Sequence, residues 1–286
     1  MTRLVLLHGF LGGPDSWDRV RLLLAASGAG PGDRPACHEI VAPWLPGHGP
    51  DAEVVTQAGR PRSERFDAAV EAFADQIGGP PSLWVGYSMG ARIALGIAAR
   101  RPALVRGLVL VSSHLGLSLP EDRARRAEED EAFARLAADG GCAGMEALAR
   151  AHESRAVLVA QRSLAPEVVA LLHARRRAHE PRAIASSIRA MGLGVMSDLR
   201  AALAGLHIPV EIVAGGDDAT YGALAREAAD LTDGAAVIAA GVGHDVVLES
   251  PEHVARAIAR VLARIEDGTR IGDGTRQPSR VTESHP

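Results

Sequence analysis

At 286 residues the chain can bury a substantial core, and 47% hydrophobic with 23% charged residues is an ordinary globular balance. A formal net charge of −4 gives no electrostatic basis for a polyanionic partner such as nucleic acid. All 31 basic side chains are arginine and there is no Lys or Asn, a pattern of codon bias, so an arginine is not by its identity alone a mark of function.

The first residues run at once into a short apolar strand, Arg3–Leu7, without the basic region, long apolar stretch and cleavage site of a secretory signal. An amphipathic helix over Ser16–Ala26 follows, then a strand at His38–Ala42, a helix at Ser63–Ile77, a strand at Ser82–Gly86, a helix at Met89–Arg100 and a strand at Gly107–Ser112. Leu108-Val109-Leu110-Val111 is continuously apolar, as a parallel strand covered on both faces must be. From Ser118 to Ala204 the alternation stops. That stretch is rich in Arg, Glu and Ala, reads as helix almost throughout, and would sit over the carboxyl ends of the strands as a lid, or else as a plain helical appendage. The βα pattern resumes with a strand at Val210–Ala214, a helix at Tyr221–Leu231, a strand at Ala236–Ala240 and a helix at Pro251–Ile265. From Glu266 the composition turns polar, with Asp267-Gly268-Thr269-Arg270 echoed by Asp273-Gly274-Thr275-Arg276, and predicts a disordered tail. The expected organisation is a core of residues 1–117 and 204–265, a helical lid of 118–203, and a tail of 266–286. Cys37 and Cys142 are too few and too far apart for a disulfide framework and point to a reducing cytoplasm; no run approaches the roughly 18 apolar residues of a membrane span.

Four loops carry the chemistry. Strand Ser82-Leu83-Trp84-Val85 runs into Gly86-Tyr87-Ser88-Met89-Gly90 and then into an Ala-rich helix, which is Gly-x-Ser-x-Gly in the strand–turn–helix setting its mechanism needs. The sharp turn strains the serine, the flanking glycines remove clashing side chains, and Oγ is left exposed above a helix N-terminus. Leu7-His8-Gly9-Phe10-Leu11-Gly12 follows the first strand, where such a loop supplies one oxyanion-hole N–H and the residue after the nucleophile supplies the other; the expected donors are Phe10 and Met89. Gly241-Val242-Gly243-His244-Asp245 lifts His244 on a loop after the last strand, the position of a general base; His48 and His114 also follow strands but come too early in the serine–acid–histidine order. The acid belongs after Val210–Ala214, where Gly215-Gly216-Asp217-Asp218 offers two neighbours. Asp218 is the choice and Asp217 the alternative.

These segments resemble the α/β-hydrolase superfamily, which implies a mostly parallel sheet with helices on both faces and a helical lid insertion. Within it the chain is similar to the 2-succinyl-6-hydroxy-2,4-cyclohexadiene-1-carboxylate synthases of menaquinone biosynthesis, the MenH type. The likeness is carried by His8-Gly9-Phe10-Leu11-Gly12-Gly13 through Trp17, Leu45-Pro46-Gly47-His48-Gly49, Gly86-Tyr87-Ser88-Met89-Gly90-Ala91-Arg92, Ser113-His114-Leu115-Gly116-Leu117 and Arg189-Ala190-Met191-Gly192-Leu193-Gly194. Arg92 stands one helical turn beyond Ser88 on the same face, where an isolated guanidinium needs either a buried carboxylate or an anionic ligand. The resemblance further implies substrate contacts from Tyr87 and carboxylate grips from Arg126 and Arg176 in the lid, the latter inside the run Arg175-Arg176-Arg177. The family usually carries a lid tryptophan, whereas Phe133 is the lone aromatic residue of this lid.

What the resemblance implies is elimination of pyruvate from 2-succinyl-5-enolpyruvyl-6-hydroxy-3-cyclohexene-1-carboxylate, with a polycarboxylate as small-molecule partner and no metal or cofactor. Two other readings stay open on the sequence: a carboxylic-ester or thioester hydrolase using the same triad, and a non-catalytic homologue that binds a small ligand. The intact Ser88, Asp218 and His244 set speaks against the second.

Overall fold

A computed structural model describes residues 2–27, 38–56, 59–268 and 280–284. In chain order the strands are β1 (Leu4–Leu7), β2 (Ile40–Val41), β3 (Ser82–Tyr87), β4 (Val105–Val111), β5 (Val210–Gly215), β6 (Ala235–Ala239) and β7 (Arg280–Ser284). The helices are α1 (Asp18–Ser27), α2 (Arg65–Ile77), α3 (Met89–Arg100), α4 (Pro120–Glu153), α5 (Pro166–Arg177), α6 (Pro181–Met191), α7 (Arg200–Ala204), α8 (Ala219–Asp230), α9 (Val246–Glu249) and α10 (Pro251–Glu266). The strands form one sheet in the order β2-β1-β3-β4-β5-β6-β7, every pair parallel. This is an α/β-hydrolase fold.

The period of two along each strand divides the core in two. Val5, Leu7, Trp84, Leu108 and Leu110 point to the face covered by α2, α3 and α8, while Leu4, Leu6, Leu83, Val85, Val109 and Val111 point to the face covered by α1, α9 and α10. α10 is held further by Arg260, which grips the buried Glu211 of β5 at 2.8 Å. The inserted helices α4, α5 and α6 form a lid with its own small core, Ala134, Met145, Leu148, Ile184 and Ile188, into which Leu11 reaches from the loop after β1. α4 is broken at Gly141, where φ is 53°.

Two expected boundaries are corrected. The chain rejoins the main core earlier than residue 203, because Leu193, Val195, Met196, Leu199 and Leu203 pack with the α3 side of the sheet. The tail is not structureless throughout: Arg280–Ser284 adds β7 alongside β6, in register from Ala235↔Arg280 to Ala239↔Ser284. The edge of β6 offers unpaired backbone groups, and the β-branched pair Val281-Thr282 suits a strand even within a polar tail. Residues 269–279, including the second half of the near-repeat, lie outside the described residues, as does Cys37; Cys142 is exposed on α4. Among the described residues no helix is long and apolar enough to cross a membrane.

A knot of histidines locks the lid to the loops of the sheet. His8 Nδ1–H donates to the Gly9 carbonyl at 2.8 Å and its Nε2 accepts the Leu45 N–H at 3.1 Å, which fixes a neutral ring. The rings of His48 and His8 lie 5.3 Å apart, and those of His48 and His179 5.4 Å. His179, between α5 and α6, accepts the Gly49 N–H at 2.9 Å, and Glu180 N–H donates to Gly49 O at 2.9 Å. Burial pushes His8 down from 6.5 to about 3, drives His48 and His152 well below 6.5, and lowers His179.

These rings are neutral when folded and free to take a proton when unfolded. Their contribution is therefore complete above about pH 6.5 and is lost as pH falls toward the folded values, with up to ~1.4 kcal/mol per pH unit for each such histidine. Melting curves should show Tm falling steadily from pH 6.5 to pH 4.5, and His48→Gln should make that fall shallower. A flat Tm over this range would contradict the buried, neutral assignment.

Candidate active site

Ser88 stands alone between the end of β3 and the start of α3, with φ 52° and ψ −107°. Its N–H is anchored on the Val111 carbonyl of β4 at 2.8 Å. Glycines on either side make that backbone possible: a Cβ at Gly86 would strike the Gly90 carbonyl, and one at Gly90 would strike the carbonyls of Leu7 and His8. The first turn of α3 is thereby pressed against the end of β1. Phe10 and Met89 consequently line the same cavity as Ser88. The Met89 N–H lies in the first turn of α3, where amides have no acceptor within the helix.

His244 Nε2 lies 3.0 Å from Ser88 Oγ, and its Nδ1 lies 2.7 Å from Asp218 Oδ2. His244 and Asp218 are both buried. Nδ1–H donates to the carboxylate, which leaves Nε2 as the acceptor facing the serine. The carboxylate is itself fixed, because Oδ1 accepts the Tyr221 N–H at 3.1 Å and so caps α8. The histidine loop is held from beneath by Ser112 Oγ–H, which donates to the His244 carbonyl at 2.7 Å. Asp217 turns its side chain to solvent and contributes only its backbone, an N–H donated to Val242 O at 3.0 Å. Of the two neighbours, Asp218 is the one joined to the imidazole. The rivals His48 and His114 are occupied elsewhere, the first in the histidine knot and the second accepting the Gly116 N–H at 3.0 Å. Tyr221 covers the His244 ring at 4.3 Å between centroids, and Tyr87 lies 5.6 Å away on a second side.

The cavity above Ser88 is closed by the lid through Asp130, Phe133, His152 and Leu158, and it is rich in arginine. Arg92 reaches it from α3. Its Nη1–H donates to the Met191 carbonyl at 2.9 Å, and among the described residues no carboxylate forms an ion pair with it. Burial, together with the nearby Arg126, pulls its pKa down from 12.5 to about 10, so it is still a cation at neutral pH. Arg126 also faces the cavity, paired with Asp130 one turn along α4 at 2.8 Å. Arg155, which the sequence reading did not single out, lines it as well.

Arg176 requires a correction. Its guanidinium is engaged by Glu153 at 2.9 Å and by Gln161 Oε1 at 2.6 Å, outside the cavity of Ser88. It borders an adjoining cavity that shares Phe10, Tyr87, His152 and Leu158 with the first. Arg175 and Arg177 pair with Asp15 and Glu146 at 2.6 and 2.8 Å, so this whole run is taken up by carboxylates within the protein. The cause is local: α5 ends between the acidic face of α4, which supplies Glu146 and Glu153, and Asp15 of the segment after β1. Tyr221, His152 and Arg155 were missed because no motif marks them. Asp218 preceding Tyr221 by three residues, as a helix cap, was the one available signal. Among the described residues no group of three or more His, Cys, Asp or Glu is placed to hold a metal ion.

Residues 4–257 match the alpha/beta hydrolase family. The 2-succinyl-6-hydroxy-2,4-cyclohexadiene-1-carboxylate synthase of Enterobacter sp. (strain 638) is 33% identical over 269 residues, covering 92% of this chain and 93% of that protein. The enzyme of the same name from Klebsiella pneumoniae (strain MGH 78578) is 27% identical over 264 residues, covering 91% and 93%. Among solved structures, MenH from S. aureus superposes with a TM-score of 0.78 at 22% identity over 93% of this chain and 94% of that one. A thermophilic esterase from Thermogutta terrifontis superposes at 0.69 with 20% identity, covering 93% and 90%, so the fold alone does not separate lyase from esterase. The chain is an enzyme belonging to the alpha/beta hydrolase family, among the relatives of 2-succinyl-6-hydroxy-2,4-cyclohexadiene-1-carboxylate synthase.

Proposed function

We propose that this enzyme is a lyase that eliminates pyruvate from 2-succinyl-5-enolpyruvyl-6-hydroxy-3-cyclohexene-1-carboxylate, with Ser88, His244 and Asp218 as its base. The observation that carries the reading is Arg92: a cation one turn from the reactive serine, beside the cavity, with a carbonyl for a partner and no carboxylate. A guanidinium kept in that state is suited to a substrate that brings its own negative charge. A neutral ester would leave it uncompensated.

Under this reading His244 accepts the Ser88 proton, and the serine oxygen takes the proton from the ring carbon beside the succinyl ketone. The electron pair moves toward the ketone oxygen, where the N–H groups of Phe10 and Met89 stabilise the developing charge. The ring double bond shifts as the carbon–oxygen bond to the enolpyruvyl group breaks, and the departing enol is protonated to pyruvate. Asp218 holds the His244 tautomer throughout and stabilises the imidazolium. Tyr87 and Arg126 help to seat the substrate. The chemistry draws on side chains and backbone N–H groups, and the proposed setting is the cytoplasm.

Ser88→Ala and His244→Ala should each lower kcat by several orders of magnitude without loss of fold, and the double variant should be little worse than either alone. Asp218→Asn should cost about three to four orders in kcat, whereas Asp217→Asn should stay close to wild type; the reverse ranking would move the acid by one residue.

Substrate class is tested through Arg92. Arg92→Ala should lower kcat/KM for pyruvate release, followed by coupling to lactate dehydrogenase, by on the order of 30- to 1000-fold, equivalent to about 2–4 kcal/mol. Slow hydrolysis of a neutral p-nitrophenyl ester should be unchanged or faster in the same variant. Brisk ester turnover with no pyruvate release from the wild-type protein would sink the lyase reading in favour of an esterase.

A further inference from the structure

Arg155 occupies the turn that ends α4. The helix closes at Ser154, the Arg155 N–H still donates to the His152 carbonyl at 3.1 Å, and the chain then swings to φ −63° and ψ 143° ahead of the tight helical run Ala156–Ser163. This turn delivers the side chain to the cavity above Ser88. Its guanidinium carbon stands over the Phe133 ring, 5.7 Å from its centre, a cation–π contact that uses none of its N–H donors in a hydrogen bond.

The charge balance around it is unusual for a half-buried cation. Arg126 is matched by Asp130 and Arg92 is satisfied in part by a carbonyl, but Arg155 has no carboxylate partner and no side-chain hydrogen bond among the described residues. Burial and the like charge of Arg126 both disfavour its charged form, while Asp130 and Glu129 act only from a distance. Counting Arg126 with Asp130 as a neutral pair, the cavity retains two free guanidinium groups, Arg92 on the sheet side and Arg155 on the lid.

We propose that Arg155 is a substrate-binding residue that grips a second carboxylate, separate from the one held at Arg92, so that the enzyme selects molecules carrying at least two anionic groups. The inference rests on the polycarboxylate part of the proposed function and not on its elimination chemistry. A purely structural arginine would be missed by the fold when removed. An uncompensated one would not, because its loss relieves a desolvated charge.

The test uses the full chain and two stable probes, the aromatic dicarboxylate 2-(3-carboxypropanoyl)benzoate and its uncharged diamide, measured by calorimetry on wild type, Arg155→Ala, Arg155→Lys and Arg92→Ala. Arg155→Ala should weaken the dicarboxylate by about tenfold or more, Arg155→Lys should restore part of that loss, and the diamide should bind all four proteins alike. Tm of Arg155→Ala should be unchanged or higher, and in turnover its loss should fall mainly on KM. Unchanged dicarboxylate affinity in Arg155→Ala, or no binding of the dicarboxylate to wild type, overturns the proposal. A fall in Tm with equal weakening of dicarboxylate and diamide overturns it too. If wild type releases no pyruvate yet dicarboxylate affinity depends on Arg155, the lyase reading fails while this proposal stands; if pyruvate is released and Arg155→Ala leaves KM unchanged, the proposal fails and the lyase reading stands.

Discussion

The left-handed backbone at Ser88 is the constraint on which the site depends. Holding a side-chain-bearing residue at φ 52° costs of order 1–3 kcal/mol, and it persists only because the surroundings over-determine it. Its N–H is tied to Val111, Gly86 and Gly90 open the space, and the first turn of α3 is forced onto the carboxyl end of β1. That close approach brings the Phe10 loop beside the serine, so the placement of Ser88 and the proposed oxyanion hole are consequences of one packing contact. The same sheet edge delivers the other two groups: Ser112, at the end of β4, holds the loop of His244, and the backbone of Asp217 ties the acid loop to that same loop.

Electrostatics then decides what such a site can accept. A desolvated guanidinium without a carboxylate is expensive, and here two line a single cavity, Arg92 from α3 and Arg155 from the turn after α4, while the other cavity-lining cation is neutralised in place. Several lid arginines outside the cavity differ, since Arg135, Arg150, Arg175, Arg176, Arg177 and Arg189 each pair with an acidic side chain. The chain is rich enough in Asp and Glu to have matched Arg92 and Arg155 as well.

Much of this was legible in the sequence, for identifiable reasons. Apolar runs such as Leu108–Val111 and the helical periods between them reveal a buried parallel sheet, because covering both faces leaves no room for polar alternation. Ser88, Asp218 and His244 were readable because each lies on a short loop at the end of a strand, where chain order alone fixes their arrangement. The lid was not readable to the same depth. Its long helix α4 carries charge nearly all round, so sequence spacing singles out no inward arginine, and Arg155, which no motif marks, lines the cavity while Arg176, which the resemblance places on the substrate, lies outside it. One ends a helix and turns inward; the other meets Glu153 before it can reach the cavity.

The contacts of Arg176 join the inserted helices to the loop of His244. Arg176 clamps Glu153 of α4 and the Gln161 carbonyl group, and the Gln161 Nε2–H donates in turn to Asp245 Oδ2 at 2.9 Å. Asp245 immediately follows His244 and caps α9 through the Leu248 N–H at 3.2 Å. Burial raises the Asp245 carboxyl to about 6, against which the nearby His244 and Arg176 favour its ionised form. The chain of contacts therefore runs from two inserted helices, through an amide, to the loop that carries His244. The loop that carries His244 is thus tied to the inserted helices through hydrogen bonds on both sides of the Gln161 amide.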